Sequence, residues 1–225
     1  VKGSYRGPRD PYIAMISETL EVTGDKIFLE IYHDVSPQTA LSLLDHFLPK
    51  AGEKRKIKEV EKPLDVALVD ADLVLSRAHF LTAAMNAVHR ASMPKGRTGL
   101  RTRSANSELI LSLSGGRSID NSLKTFGLKE TTTRLVVCAF ESSSQLVRIR
   151  EKVLTSPGEE PRSCTWAEHE ADSLTRWPLF IKQFKLTKDE LALLDYRCEK
   201  SGGLKIVELE AAIMTRVGIQ GHEKD

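Results

Sequence analysis

The chain has 225 residues, 33 basic against 31 acidic, a formal charge of +2 and 40 % hydrophobic residues. That suits one generous α/β domain with a real core and excludes a wholly disordered chain, which needs low hydrophobicity and high net charge. No run approaches the roughly 18 uninterrupted apolar residues of a membrane span. The opening Val1-Lys2-Gly3-Ser4 lacks the charged, apolar and small-residue order of a signal peptide. Cys138, Cys164 and Cys198 are widely spaced and form neither a disulfide framework nor a CxxC pair. The expected setting is therefore reducing, soluble and intracellular.

Residues 26–32 (KIFLEIY), after a Gly24-Asp25 turn, are rich in β-branched and aromatic side chains and read as a strand. Ser36-Pro37 then sets a hydroxyl cap before a proline at the first helical position, and Leu41, Leu44 and Leu48 follow at helical spacing until Pro49. Residues 49–63 form a charged connection. A short apolar run at 64–69, closed by Asp70 and Asp72, leads to an Ala- and Met-rich helix over 77–90 with Phe80, Leu81, Ala84 and Val88 inward. After a loop at 94–99, helical character resumes over 106–114 through Leu109, Ile110 and Leu113. Gly115-Gly116 breaks that helix, Ser118 caps the next over 119–126, and Gly127 is expected to end it in the left-handed conformation.

Residues 133–140 (TRLVVCAF) are the strongest strand, and 145–154 read as a helix with Arg148, Arg150 and Lys152 outward. Residues 155–178, with Pro157, Gly158, Pro161 and Pro178, read as a long loop or insertion. Thr187-Lys188-Asp189-Glu190 has capping-box spacing for a helix through Tyr196 and Cys198, and Gly202-Gly203 separates it from a last helix over 204–217. The expectation is a single α/β domain over residues 1–225, with a small mixed or mainly antiparallel sheet flanked by helices.

Motifs for catalysis are missing. Leu113-Ser114-Gly115-Gly116-Arg117 looks like the signature loop of ATP-binding-cassette ATPases, but no GxxxxGK[ST] loop accompanies it, so Ser-Gly-Gly reads as a helix terminator. His33, His46, His79, His89, His169 and His222 are scattered, none in HExxH, and Cys164 with His169 lacks the further ligands zinc needs. No metal or cofactor is expected. No GxSxG presents a nucleophile, Cys138 reads as a small buried hydrophobe, and His89 suits the dipole at a helix end.

Two features suit binding. The basic cluster at 54–58 lies among Glu53, Glu59 and Glu61 and reads as a solvated linker, whereas Lys95, Arg97, Arg101 and Arg103 have no acid between them. Alternation puts Arg101 and Arg103 on one face, ahead of a helix start whose amides suit a phosphate. In the last helix Leu204, Val207, Ala211 and Met214 make one apolar stripe and Ile206, Leu209, Ile213 and Val217 another. Either that helix is fully buried or its spare face meets a partner.

The stretch RTRSANSELILSLSGGRSIDNSLKTFGL resembles a segment of the PRPK-binding protein family, the kinase-binding subunits of the KEOPS (EKC) complex. The likeness falls on Arg101-Thr102-Arg103, Ser107-Glu108, Leu113-Ser114, Ile119, Lys124 and Phe126-Gly127-Leu128. It extends to Ala83-Ala84, Ala87-Val88-His89, residues 180–186 and Ala212-Ile213 with Arg216, and more weakly over 27–217. Relatives often carry a Lys where this chain has Gly99, and the stretches at 50–62 and 155–178 look like extensions.

The resemblance implies a non-catalytic subunit that binds a small atypical kinase/ATPase, largely through the C-terminal helix. It implies support of tRNA threonylcarbamoyladenosine modification, with the transfer belonging to the threonylcarbamoyl transferase subunit, an indirect partner. It also implies links to telomere maintenance and transcription, a nuclear and cytoplasmic location, and no membrane partner. On that basis Leu209, Ile213, Met214 and Arg216 are expected to dock the kinase, and Arg101, Arg103 and Lys124 to hold tRNA phosphates. Ile213→Glu is then expected to abolish docking while leaving the fold intact. The competing readings are a stand-alone α/β RNA-binding domain and an ATPase, the latter opposed by the missing phosphate loop.

Overall fold

The computed structural model describes residues 15–20, 25–47, 66–93, 99–140, 143–155, 161–201 and 205–219. Strand β2 (Lys26–His33) is the axis of a small sheet. On one side it pairs with β4 (Leu135–Ala139); on the other it pairs with β1 (Ile16–Thr19) near its start and with the short β5 (Arg162–Cys164) at its end. Strand β3 (Ala67–Asp70) closes the far edge against β4, giving a five-stranded sheet in the order β1-β2-β4-β3 with β5 beside β2. Every pairing among the described residues is antiparallel, within the expectation of a mixed or mainly antiparallel sheet.

Period-two alternation sorts the strand residues onto two faces, and both are buried. Leu29, Ile31, Val69, Val136 and Cys138 belong to one core; Tyr32, Leu68, Leu135, Val137 and Ala139 belong to the other. The first face is covered by α2 (Arg77–Ser92) and α3 (Ala105–Leu113), joined by Phe126 from α4 (Ile119–Phe126). The second is covered by α1 (Pro37–Phe47) and α5 (Ser143–Thr155), through Ala40, Leu43, Leu146, Ile149 and Val153. Ser36 Oγ accepts the Thr39 N–H at 3.1 Å, so α1 starts where the Ser-Pro signal put it. Its inward side, however, is Ala40 and Leu43, while Leu41 stands 40 % exposed. No helix among the described residues is long and apolar enough to cross a membrane.

Three local readings need correction. First, 155–178 is not one long loop: from residue 161 it carries β5, then α6 (Trp166–Ser173), a 3-10 turn (Leu174–Arg176) and the start of α7 (Trp177–Gln183). Thr165 and Glu168 form a reciprocal capping box, with the Thr165 N–H donating to Glu168 Oε2 at 2.8 Å and the Glu168 N–H to Thr165 Oγ1 at 3.3 Å. Pro178 lies in the first turn of α7, where a proline opens a helix rather than breaking one. Second, Gly127 has φ −74, not a left-handed value. A Cβ there would sit 2.5 Å from the Leu123 carbonyl oxygen, so close backbone approach is what requires the glycine. Third, β1 carried too short an apolar signal to be read as a strand. The connection at 49–63, the basic residues at 54–58, and Lys95 and Arg97 lie outside the described residues.

Buried histidines help lock these layers together. His79 Nδ1 accepts the Leu75 N–H at 3.2 Å and Nε2 donates to the Leu113 carbonyl at 3.2 Å, tying α2 to the end of α3. His169 Nε2 donates to the Val74 carbonyl at 2.8 Å, leaving Nδ1 to accept from His33 Nε2 at 3.4 Å. Each bond set needs a neutral ring, and burial lowers the pKa of His79 and of His169 to about 4. Unfolded histidines titrate near 6.5, so between about pH 4 and 6.5 the unfolded chain binds more protons than the folded one. Stability is therefore full above pH 6.5 and falls toward pH 4, by about 1.4 kcal/mol per pH unit for each such histidine. Denaturant unfolding between pH 4.5 and 7 measures this slope, which His79→Gln should reduce by one proton; a flat profile refutes the neutral buried rings.

Candidate functional site

The C-terminal helices form an antiparallel pair. Helix α8 (Lys188–Ser201) opens with the capping box seen in the sequence: the Thr187 N–H donates to Glu190 Oε2 at 2.7 Å and the Glu190 N–H to Thr187 Oγ1 at 3.2 Å. Helix α9 (Lys205–Ile219) returns beside it, with Arg216 paired to Glu190 near one end and Arg197 3.7 Å from Glu208 near the other. Helix α9 also packs on α2, where Asn86 Nδ2 donates to the Val217 carbonyl at 3.0 Å and the Ser76 hydroxyl donates to Glu210.

This packing resolves the two stripes of α9 and corrects half of the expected docking set. Leu209 and Ile213 are fully buried, with Val217, in the core that contains Ala83, Ala84 and Ala87 of α2. At i, i+4 and i+8 they share one helix face, and the small residues of α2 let that face approach closely. Of the other stripe, Leu204 lies outside the described residues, Val207 is 55 % exposed, Ala211 is exposed and Met214 is half-buried. Leu193 and Tyr196 add exposed apolar surface on α8, at 49 % and 51 %. Arg216 does not point with that stripe; its Nη1 donates to the Phe184 carbonyl at 2.7 Å while Nη2 holds Glu190.

The basic residues also divide. Arg101 is committed to a buried carboxylate: its N–H and Nε donate to Glu108 at 2.9 and 2.8 Å, and Arg90 Nε lies 3.5 Å from the same group. Glu108 is wholly inaccessible, so removing its cations would strand a charge in the core. The N-terminus of α3 is likewise occupied, because Ser104 Oγ accepts the Ser107 N–H at 3.3 Å. Arg103 and Lys124 are exposed and without partners among the described residues, one ahead of α3 and one in the last turn of α4.

Beside these surfaces lies a cavity that no local sequence pattern announced. The Ser-Gly-Gly turn ends α3, with Gly115 at φ 60 and its N–H donating to the Ser112 carbonyl at 3.1 Å. The space beyond the turn, about 400 Å³, is bounded by Arg117, Ser118 and Asn121, by the end of α7 at Phe184 and Lys185, and by Arg216. Only the tertiary fold brings the α3–α4 turn and the end of α7 together; the Thr187 cap marked a turn near 184–186 but not what it faces.

The two described cysteine side chains are not activated nucleophiles. Burial raises the Cys138 thiol far above its ordinary range and pushes Cys164 up to about 11, so neither forms a thiolate near neutrality. Among the described residues no group of His, Cys, Asp and Glu could hold a metal ion.

Comparison with known proteins accounts for most of the chain. Residues 32–221 match the family model described as kinase binding protein CGI-121. A 73-residue stretch is 38 % identical to an EKC/KEOPS complex subunit cgi121 of Aspergillus fumigatus, covering 32 % of this chain and 36 % of that protein. Over 132 residues it is 26 % identical to the EKC/KEOPS complex subunit TPRKB of Danio rerio, covering 59 % and 71 %. A 71-residue stretch is 34 % identical to the EKC/KEOPS complex subunit CGI121 of Yarrowia lipolytica, covering 32 % and 40 %. The match thus spans well under half the length of the two fungal relatives. Because the family model covers strands β3 to β5 and every described helix from α1 to α9, leaving out β1 and most of β2, the chain belongs to the family of the kinase binding protein CGI-121.

Proposed function

We propose that this chain is a non-catalytic subunit of an EKC/KEOPS-type complex that docks a small atypical kinase through the outer face of its C-terminal helix pair. The observation that carries this reading is the apolar surface left on α9 after Leu209, Ile213 and Val217 are taken up by the core. Val207 and Met214, with Leu193 and Tyr196 on α8, are the anchors in place of Leu209 and Ile213. An aromatic and aliphatic cluster of this kind, rimmed by charged residues such as Arg197 and Glu208, suits a stable protein contact of about 800 Å² per partner. The transferase subunit is then an indirect partner, and the location nuclear and cytoplasmic.

The same reading gives the chain a part in presenting tRNA for threonylcarbamoyladenosine modification, and through that complex a link to telomere maintenance and transcription. Arg103 and Lys124 are the cations free to take RNA phosphates, whereas Arg101 is held by Glu108. The alternative is a stand-alone RNA-binding domain, which would bind RNA strongly with no kinase present.

Two experiments separate these outcomes. In gel filtration with light scattering, the wild-type chain and its cognate kinase should elute one-to-one, and Val207→Glu with Tyr196→Ala should weaken binding at least about a hundredfold with an unchanged circular dichroism spectrum. Ile213→Glu should instead unfold or strongly destabilise the chain, because it puts a charge into a sealed core. A double variant that still binds normally removes the outer face from the interface. For RNA, replacing Arg103 and Lys124 by Gln should flatten the plot of log affinity against log salt by about 1.4, near 0.7 for each single-strand phosphate no longer neutralised. Arg101→Gln should mainly lower stability, and an unchanged slope in the double variant takes both cations out of the site.

A further inference from the structure

The cavity beside the α3–α4 turn is one-sided in charge. Arg117, Lys185 and Arg216 line it, Arg216 already paired to Glu190, and no carboxylate is among its lining residues; Ser122 and Thr125 donate to the Ser118 and Asn121 carbonyls at 2.8 Å each, which leaves the Ser118 hydroxyl as a donor. At about 400 Å³ it falls in the size range of small-ligand sites. Cations converging on one space form charge-assisted bonds to an oxyanion, stronger than bonds between neutral groups. Lys185 adds a backbone argument. Its φ of 50 ends α7 in the left-handed conformation, which a glycine adopts at lower cost, yet the position carries a lysine that lines this space.

Arg216 has a second attachment. Besides lining the cavity it holds Glu190, and Glu190 Oε2 is the acceptor for the Thr187 N–H in the capping box of α8. An anion in the cavity competes with Glu190 for this guanidinium. When Arg216 turns to an anion, Glu190 keeps Thr187 as its partner and the geometry of the box changes.

We infer that the cavity binds a phosphate group, free or carried as a monoester, and that Arg216 transmits its occupancy to the start of α8. Phosphate binding stands independently of kinase docking; the consequence for docking rests on that reading, because α8 and α9 carry the outer apolar face. The link is a coupling between two sites through one shared side chain, so it is reciprocal.

The test uses the full chain, ¹⁵N-labelled, titrated with inorganic phosphate and separately with adenosine monophosphate at ionic strength held constant with sodium chloride. Amide resonances of Gly115 and Ser118 should shift and saturate in the millimolar range, those of Thr187 and Glu190 following the same curve. Shifts with phosphate alone assign the free anion, and shifts with the nucleotide assign a monoester; saturation by neither, or equal shifts with chloride, overturns the site. Lys185→Ala should weaken the binding about tenfold without altering Thr187 in the unliganded chain. In Arg216→Lys the turn should still respond while Thr187 and Glu190 do not, since an ammonium lacks the fork that spans both partners. Wild-type shifts confined to the turn overturn the link. Kinase docking is read in a separate assay, so its failure leaves these outcomes intact.

Discussion

The pairing of β2 with β4 puts apolar side chains on both faces of the sheet, so two separate layers of helix have to cover it. Each layer uses a different solution. On one side α1 and α5 suffice, pinned by Arg150, which reaches the inaccessible Glu30 beside Tyr32. On the other the cover is deeper: α2 and α3 lie on the sheet, and α9 lies on α2. That second tier makes α9 amphipathic in an unusual way, with one stripe serving as core and one left over. The proposed docking surface is a by-product of stacking helices on a sheet already sealed from both sides.

Electrostatics follow the same constraint. A small sheet whose faces are both covered has little room for charge, yet the fold buries Glu30 on β2 and Glu108 on α3, and each is answered by arginine. Arg77 meets Glu18 at 2.6 Å and Arg134 meets Asp72 at 2.6 Å, so many of the basic residues are structural. Such pairs are costly to break one partner at a time and add little when exposed. The practical result is that many cations among the described residues are already committed. The ones at Arg103, Lys124 and Lys185 stand out for lacking partners among the described residues.

Local chemistry was legible wherever it repeats over a few residues. Ser36-Pro37, Ser118 and the Thr187–Glu190 box announced helix starts, and 133–140 announced the central strand, because caps and continuous β-branched runs act through near neighbours. The box at Thr165–Glu168 was equally readable, but the surrounding prolines and acids obscured it. Harder were features that depend on exact geometry between neighbours along the chain rather than on residue type. Gly127 is required by the Leu123 carbonyl, and Arg101 is consumed by Glu108 across the start of α3. Pattern alone assigns such residues a turn or a free charge.

By itself the amino-acid sequence determined the α/β class, the antiparallel tendency, the order of most elements and the family resemblance. All of these are carried by short-range periodicity, capping and residue identity in one contiguous stretch. It also determined that α9 has two apolar stripes, since helical spacing alone defines them. Only the tertiary structure decided which stripe is core: Leu209, Ile213 and Val217 meet the alanine-lined face of α2, and Val207 with Met214 is what remains. The same is true of the cavity at the α3–α4 turn. Its cations come from the turn itself, the end of α7 and α9, and no local rule relates segments whose only link is the packing that brings them together.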